Sequence, residues 1–257
     1  MTTAVIISGQ ARTFARCFAS LQWQVFSKLK NPQFFVSVAD DADAYTVETT
    51  LRQHYAKGST SPKIVAEKVT QPTLPEPPMI HTAHAPYAIT PTTTPGVGPL
   101  QGILRQLWHL SRAYKFAMEN GAGDCDVFVR CRPDLHFHRF VMKKEYMAHT
   151  ATVTSLHDIA CVPFWGGYGG VNDRFAYLGS RAAKAYFETY DNLPAMLADG
   201  IPFHPETLVG AALERAGCHI SRTLCAEFGM LRPSGEFVHM QVLPGELAEW
   251  IAHLSRQ

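Results

Sequence analysis

The sequence predicts an α/β fold: a mostly parallel central sheet flanked by helices, in a single domain spanning residues 1–257. Three observations predict it. Short continuous apolar runs alternate with stretches of helical periodicity, which is the pattern of βαβ units. The early runs end in small or acidic polar clusters, as strands buried on both faces do where they pass into loops. The chain is 46% hydrophobic, enough for one sizeable core, and no internal repeat divides it.

Taken in order, Ala4-Val5-Ile6-Ile7 is a buried strand that ends at Ser8-Gly9-Gln10. From Arg12 to Leu29, the residues Phe14, Cys17, Phe18, Leu21, Val25 and Phe26 recur at helical spacing. Phe34-Phe35-Val36-Ser37-Val38 is a second strand ending at Asp40-Asp41. A helix near Val47–Tyr55 and a third strand at Lys63-Ile64-Val65-Ala66 follow. From Thr70 to Pro99 the periodicity dissolves into prolines and threonines. Proline fixes φ and removes a backbone donor, so this segment reads as a flexible surface loop near the site.

The next helix carries Leu100, Ile103, Leu104, Leu107, Trp108, Tyr114 and Ala117 on one apolar face. Arg105, His109 and Arg112 lie away from that face, and Gly121 and Gly123 stop the helix. Asp126-Val127-Phe128-Val129 is a further central strand. Trp165-Gly166-Gly167-Tyr168-Gly169-Gly170 reads as a flexible aromatic-glycine loop. Ser180 is expected to cap a helix through Tyr190. His204-Pro205-Glu206 opens another, with Leu208, Val209, Ala212, Leu213 and Ala216 on its buried side.

Composition narrows the function classes. The formal net charge is +1 and no Lys/Arg stripe is present, which disfavours nucleic acid as a partner. No stretch approaches the ~20 apolar residues of a membrane span. The start, Met1-Thr2-Thr3, has no basic leader region, so a cytoplasmic location is expected. The six cysteines form no CxxC pair and sit in apolar runs, as reduced core thiols do. His136 and His138, like His81 and His84, lack metal-protease spacing and read as solvated or core histidines.

Four constellations carry chemistry. Arg130-Cys131-Arg132-Pro133-Asp134 follows a hydrophobic strand, where ligands of open α/β sheets bind. A carboxylate there suits a divalent metal, and two arginines suit phosphate oxygens. A surface Arg–Asp pair ending a strand is the bland alternative. Ser8-Gly9-Gln10-Ala11-Arg12 is a glycine turn before a helix, able to offer N–H groups to an anion, though such turns are common. Asn172-Asp173-Arg174 is either a cleft-edge cluster or a turn with a local ion pair. In His204-Pro205-Glu206, Glu206 is either functional or merely favoured at the positive end of its helix.

Taken together, these motifs resemble a known family. The order strand–Ser8-Gly9-Gln10…Arg12, Phe34…Asp40, amphipathic helix, Arg130…Asp134, Asn172…Tyr177 with Gly179-Ser180, and His204…Leu208 resembles the GT-A-like glycosyltransferases of bacterial surface-polysaccharide loci, large DNA viruses and phages. The likeness runs from Val5 to about Gly217. It implies a GT-A-like, Rossmann-like sheet and transfer of a sugar from a nucleotide-sugar donor to an acceptor hydroxyl of a polysaccharide, glycolipid, protein or modified DNA base. By the same resemblance, Ser8, Gly9, Gln10 and Arg12 hold the nucleotide and Asp40 lies near base or ribose. Arg130 and Arg132 counter the diphosphate. Asp134 ligates Mn²⁺ or Mg²⁺, or the sugar. Asp173 and Glu206 are candidates for acceptor binding or the general base, and His204 is a candidate for acceptor contact or the lid. Trp165 and Tyr168 form a lid on which a sugar stacks. The acidic pair Asp-x-Asp of such enzymes appears here as Arg132-Pro133-Asp134, with one acidic member. A nucleotidyltransferase, or a catalytically degenerate nucleotide- or sugar-binding protein, is the alternative.

Overall fold

A computed structural model describes residues 1–56, 61–74, 99–141 and 155–239. The first half is a parallel sheet. Strand β1 (Thr3–Gly9) pairs in parallel with β2 (Pro32–Ala39) and β4 (Val127–Cys131), and β2 pairs in parallel with β3 (Ile64–Val69). Residues Thr3 to Ser8 are buried, which is why the run carries apolar side chains on both faces rather than alternating with polar ones. Alternate residues feed two different cores. Val5 and Ile7 pack with helix α1 (Phe14–Gln24) and helix α2 (Ala44–Tyr55). Ala4 and Ile6 pack with the long helix α3 (Pro99–Glu119).

The second half departs from simple βα alternation. Strand β7 (Phe175–Leu178) lies antiparallel between β4 and β6 (Ile159–Pro163). The 13-residue strand β8 (His219–Leu231) pairs in parallel with β6, then continues to pair antiparallel with β5 (Leu135–Val141) and β9 (Phe237–His239). The order is β3-β2-β1-β4-β7-β6-β8-β5, with β9 on β8. A seven-strand, mostly parallel central sheet thus grades into an antiparallel ribbon. Helices α4 (Ser180–Phe187), α5 (Leu193–Ala198) and α6 (Pro205–Arg215) cover the same face as α3. Tyr114 and Phe187 stack across that layer at 5.4 Å.

Several expected boundaries move. The helix expected over Arg12–Leu29 ends at Gln24 and gives way to a 3-10 turn at Phe26–Lys28. Val25 and Phe26 are still buried, so the apolar period outlasts the helix. The fourth strand extends to Cys131 and takes Arg130 into the sheet. Ser180 is the first residue of α4 rather than its cap; Gly179 occupies the cap, and Ser180 Oγ lies 2.8 Å from His157 Nδ1. Cys17, Cys125, Cys131 and Cys161 are buried and form no disulfide among the described residues. Among the described residues no helix is long and apolar enough to cross a membrane. The proline-rich segment expected to act as a loop near the site, with His81 and His84, lies outside the described residues except at its two ends.

Candidate functional site

The chain runs from β1 to β2 and β3 on one side and returns through α3 to β4 on the other. The carboxyl ends of β1 and β4 therefore part at a topological switch point, where an open α/β sheet leaves a crevice. Gly9, at φ +123°, turns the chain there in a conformation open to glycine. The crevice is a cleft of about 230 Å³. The end of β1 gives it Ser8, Gly9, Gln10 and Arg12, and the end of β4 gives it Arg130, Arg132, Pro133 and Asp134. Its far wall is the polar side of α3, Gly102, Arg105, Gln106 and His109, with Gln71 beside them.

Among the described residues that line it, the cleft carries four guanidinium groups against one carboxylate. Arg130 is 2% exposed and its Nη1 donates to Ser8 O (3.1 Å), Ser8 Oγ (2.8 Å) and Cys131 O (3.0 Å). All three acceptors are neutral, and its Nε has no hydrogen-bond partner among the described residues. Burial lowers the pKa of this guanidinium. Arg132 grips Asp134 with both arms of its fork, Nε to Oδ1 at 2.9 Å and Nη2 to Oδ2 at 2.8 Å. Burial alone would raise the Asp134 pKa, but the Arg132 charge outweighs it and holds the carboxyl below its usual range. His109 is pushed down to about 4, by burial first and then by the charges of Arg130 and Arg105, so it is a neutral imidazole. Gln71 Nε2 lies 3.1 Å from His109 Nε2, which puts the ring proton on Nδ1, an atom with no partner among the described residues.

Behind the cleft lies a second cluster. Asn172 closes the preceding loop, donating to Trp165 O at 3.0 Å and accepting from Arg174 N at 3.0 Å. Gly170 packs against the first turn of α6 so closely that an added Cβ would sit 2.0 Å from Glu206 O, and Val171 N donates to that same oxygen at 3.0 Å. This contact brings Arg174 Nη2 to 2.9 Å from Glu206 Oε1 and leaves Arg174 Nη1 3.4 Å from Asp173 Oδ1. His204 Nε2 lies 3.1 Å from Glu206 Oε2. Burial, then the negative charge of Asp173, pushes the Glu206 pKa up to about 8. Burial also lowers that of His204. Gln106 joins the two clusters: its Nε2 donates to Asp173 Oδ2, and its Oε1 accepts from Arg132 Nη1 at 3.4 Å. A carboxylate on one side and a guanidinium on the other permit this amide orientation and exclude its flip.

The expected residues thus divide. Ser8, Gly9, Gln10, Arg12, Arg130, Arg132 and Asp134 meet in the cleft. Asp173, Glu206 and His204 come together, buried outside the cleft and linked to it through Gln106. Glu206 is there for its partners and not for the helix end alone. Asp40 stands outside the cleft, its half-exposed carboxylate 3.8 Å from Lys68 Nζ. Trp165 is a correction. It is 3% exposed, donates from Nε1 to Ala226 O at 2.7 Å and packs on Phe228, so it has no face to offer a sugar. Tyr168, at φ +45°, is half-buried, with Arg174 5.9 Å from its ring centre and His204 edge-on.

The donor set at Asp134 does not fit a divalent ion. Both of its oxygens are taken by Arg132, and among the described residues no three His, Cys, Asp or Glu side chains gather as metal ligands. Sequence reading missed the site role of Arg105 and His109, which were placed only as lying away from the apolar face of α3, and did not single out Gln106 at all. Their signal was present: Gly102, Arg105, Gln106 and His109 follow the i, i+3, i+4, i+7 spacing of one helical stripe. Compared with known protein families the chain matches none, and a search of curated proteins returns no match.

Proposed function

We propose that the chain is a glycosyltransferase of GT-A-like architecture, which transfers a sugar from a nucleotide diphosphate donor to an acceptor hydroxyl. The observation that carries this reading is the arginine-lined cleft at the ends of β1 and β4, with its single carboxylate at Asp134. Glycosyl transfer builds negative charge on the departing diphosphate, and preorganised donors in a low-dielectric cleft stabilise such charge. Arg130 is held by three hydrogen bonds, so it needs no reorganisation when that charge develops. Arg12, Arg105 and Arg132 surround the same space. A phosphate reaching Arg132 competes with Asp134 for its fork, and the released carboxylate then faces the sugar and acceptor. Asp173 and Glu206 act on Arg132 through Gln106 as positioning residues.

The closed Arg132–Asp134 pair favours one second reading, a nucleotide-sugar-binding protein without turnover. A thermal-shift panel of nucleoside diphosphates and nucleotide sugars tests both. A ligand at ~100 times its Kd, binding only the folded state, adds ~2.7 kcal/mol of stability. At least one nucleotide sugar is expected to raise Tm and to be hydrolysed or transferred on prolonged incubation. Binding without turnover would leave the binding-protein reading, release of a sugar 1-phosphate from the nucleotide sugar would indicate nucleotidyl transfer, and no Tm shift with any member would sink the proposal.

A further inference from the structure

Among the described residues the cleft presents four guanidinium groups and one carboxylate, a formal excess of three positive charges. The diphosphate linkage of a nucleotide sugar carries two negative charges. A divalent cation added to this cleft would meet an already cationic wall at close range, where like charges repel strongly in a low dielectric. Its only carboxylate anchor among the described lining residues would be Asp134, and taking it would strip Arg132 of its bidentate partner. Arg130 is buried without a carboxylate in hydrogen-bond contact, and Arg12 and Arg105 form no ion pair among the described residues. A buried charge with only neutral partners is costly to keep unless a ligand of opposite sign completes it.

We infer that this cleft binds the diphosphate of its ligand without a divalent cation, Arg12, Arg105, Arg130 and Arg132 supplying the neutralising charge. The inference rests on reading the cleft as a nucleotide-diphosphate pocket. Asp134 then serves as the internal counter-ion of Arg132 until the phosphate arrives, rather than as a metal ligand.

Isothermal titration with inorganic pyrophosphate in EDTA tests it, using the whole chain and two variants whose folding is checked by thermal unfolding. Wild type should bind in EDTA. Arg105→Gln, a half-buried position on α3, should weaken binding at least fivefold. Asp134→Asn should strengthen it at least threefold, because the competing carboxylate is gone. Binding seen only with Mn²⁺ present, loss of binding in Asp134→Asn, or no change in either variant overturns the inference. Nucleoside diphosphates run in parallel separate it from the reading on which it rests. Pyrophosphate binding in EDTA with no binding of any nucleotide keeps the inference and removes the nucleotide reading. Nucleotide binding that requires Mn²⁺ does the reverse, and no binding of any probe removes both.

Discussion

Glu206 sits at the start of a helix, where the helix dipole favours a negative carboxylate. It nevertheless holds its proton into the neutral range, because burial and the charge of Asp173 together outweigh the dipole and the Arg174 contact. Asp173, Arg174, His204 and Tyr186 are the titratable and charged groups around it. The linkage to stability has a definite sign. The folded pKa lies near 8 and the ordinary value is 4.5, so between them the native state binds a proton that the unfolded chain has released. The stabilisation is full below 4.5 and is lost as pH rises through about 8. Glu206→Gln keeps the size and a donor but cannot titrate. The variant should therefore gain on wild type as pH rises from 5 to 8, by roughly 2–4 °C in Tm for each kcal/mol of relief. Parallel unfolding curves across that range check it; a gap that stays constant, or narrows toward pH 8, would show that Glu206 is ionised in the fold.

At the scale of elements, the segment before Asn172 shows how composition misleads. Its glycines suggested a flexible lid carrying aromatic faces, yet Trp165 is buried and Gly170 is wedged against α6. The glycines here serve close packing rather than freedom. Gly170→Ala should cost at least ~2 kcal/mol, the range of substitutions that force backbone to move. Gly169→Ala is the control: φ is +87° and the added Cβ meets nothing within 4 Å, so only about 1 kcal/mol of left-handed strain is expected. Urea unfolding of both compares them, and equal costs would mean that the loop is not pinned to α6. The α3 stripe misled in the opposite way. Arg105 and His109 are polar on a helix and so read as facing away from the core, whereas with Gln106 they form the wall of a cleft. A hydrophobic period identifies the face that enters a core; it cannot say whether the opposite face meets water or a ligand.

For the whole molecule, local pattern and long-range pairing differ in how far sequence reaches. The first three strands, the α3 helix and the strand-end positions of Ser8–Arg12 and Arg130–Asp134 were legible, because each depends on period, length and the strand-end rule. The antiparallel insertion of β7 and the turn of β8 into a ribbon with β5 were not, because pairing over such separations leaves no local period. The insertion matters for the site. Strand β7 runs antiparallel beside β4 with Phe175 opposite Cys131, which brings Asp173 to the end of β4, where Gln106 of α3 links the Arg132–Asp134 pair to the Asp173–Glu206 cluster. If that link is energetic as well as geometric, removing it must move a proton equilibrium on the far side. Gln106→Leu keeps the bulk of the side chain but withdraws the N–H that Asp173 accepts. A hydrogen bond to a charged group is worth ~1.5–3 kcal/mol, and ~1.4 kcal/mol corresponds to one pH unit. Without that donor the negative charge of Asp173 bears more fully on Glu206, so the Glu206 titration should move further up, by up to about one unit. The readout is a double-mutant comparison. The pH midpoint of the Tm gap between wild type and Glu206→Gln is compared with that between Gln106→Leu and the Gln106→Leu/Glu206→Gln double variant. A merely structural role for Gln106 would lower both Tm values equally and leave the midpoint where it was, and that outcome would disconnect the two halves of the site.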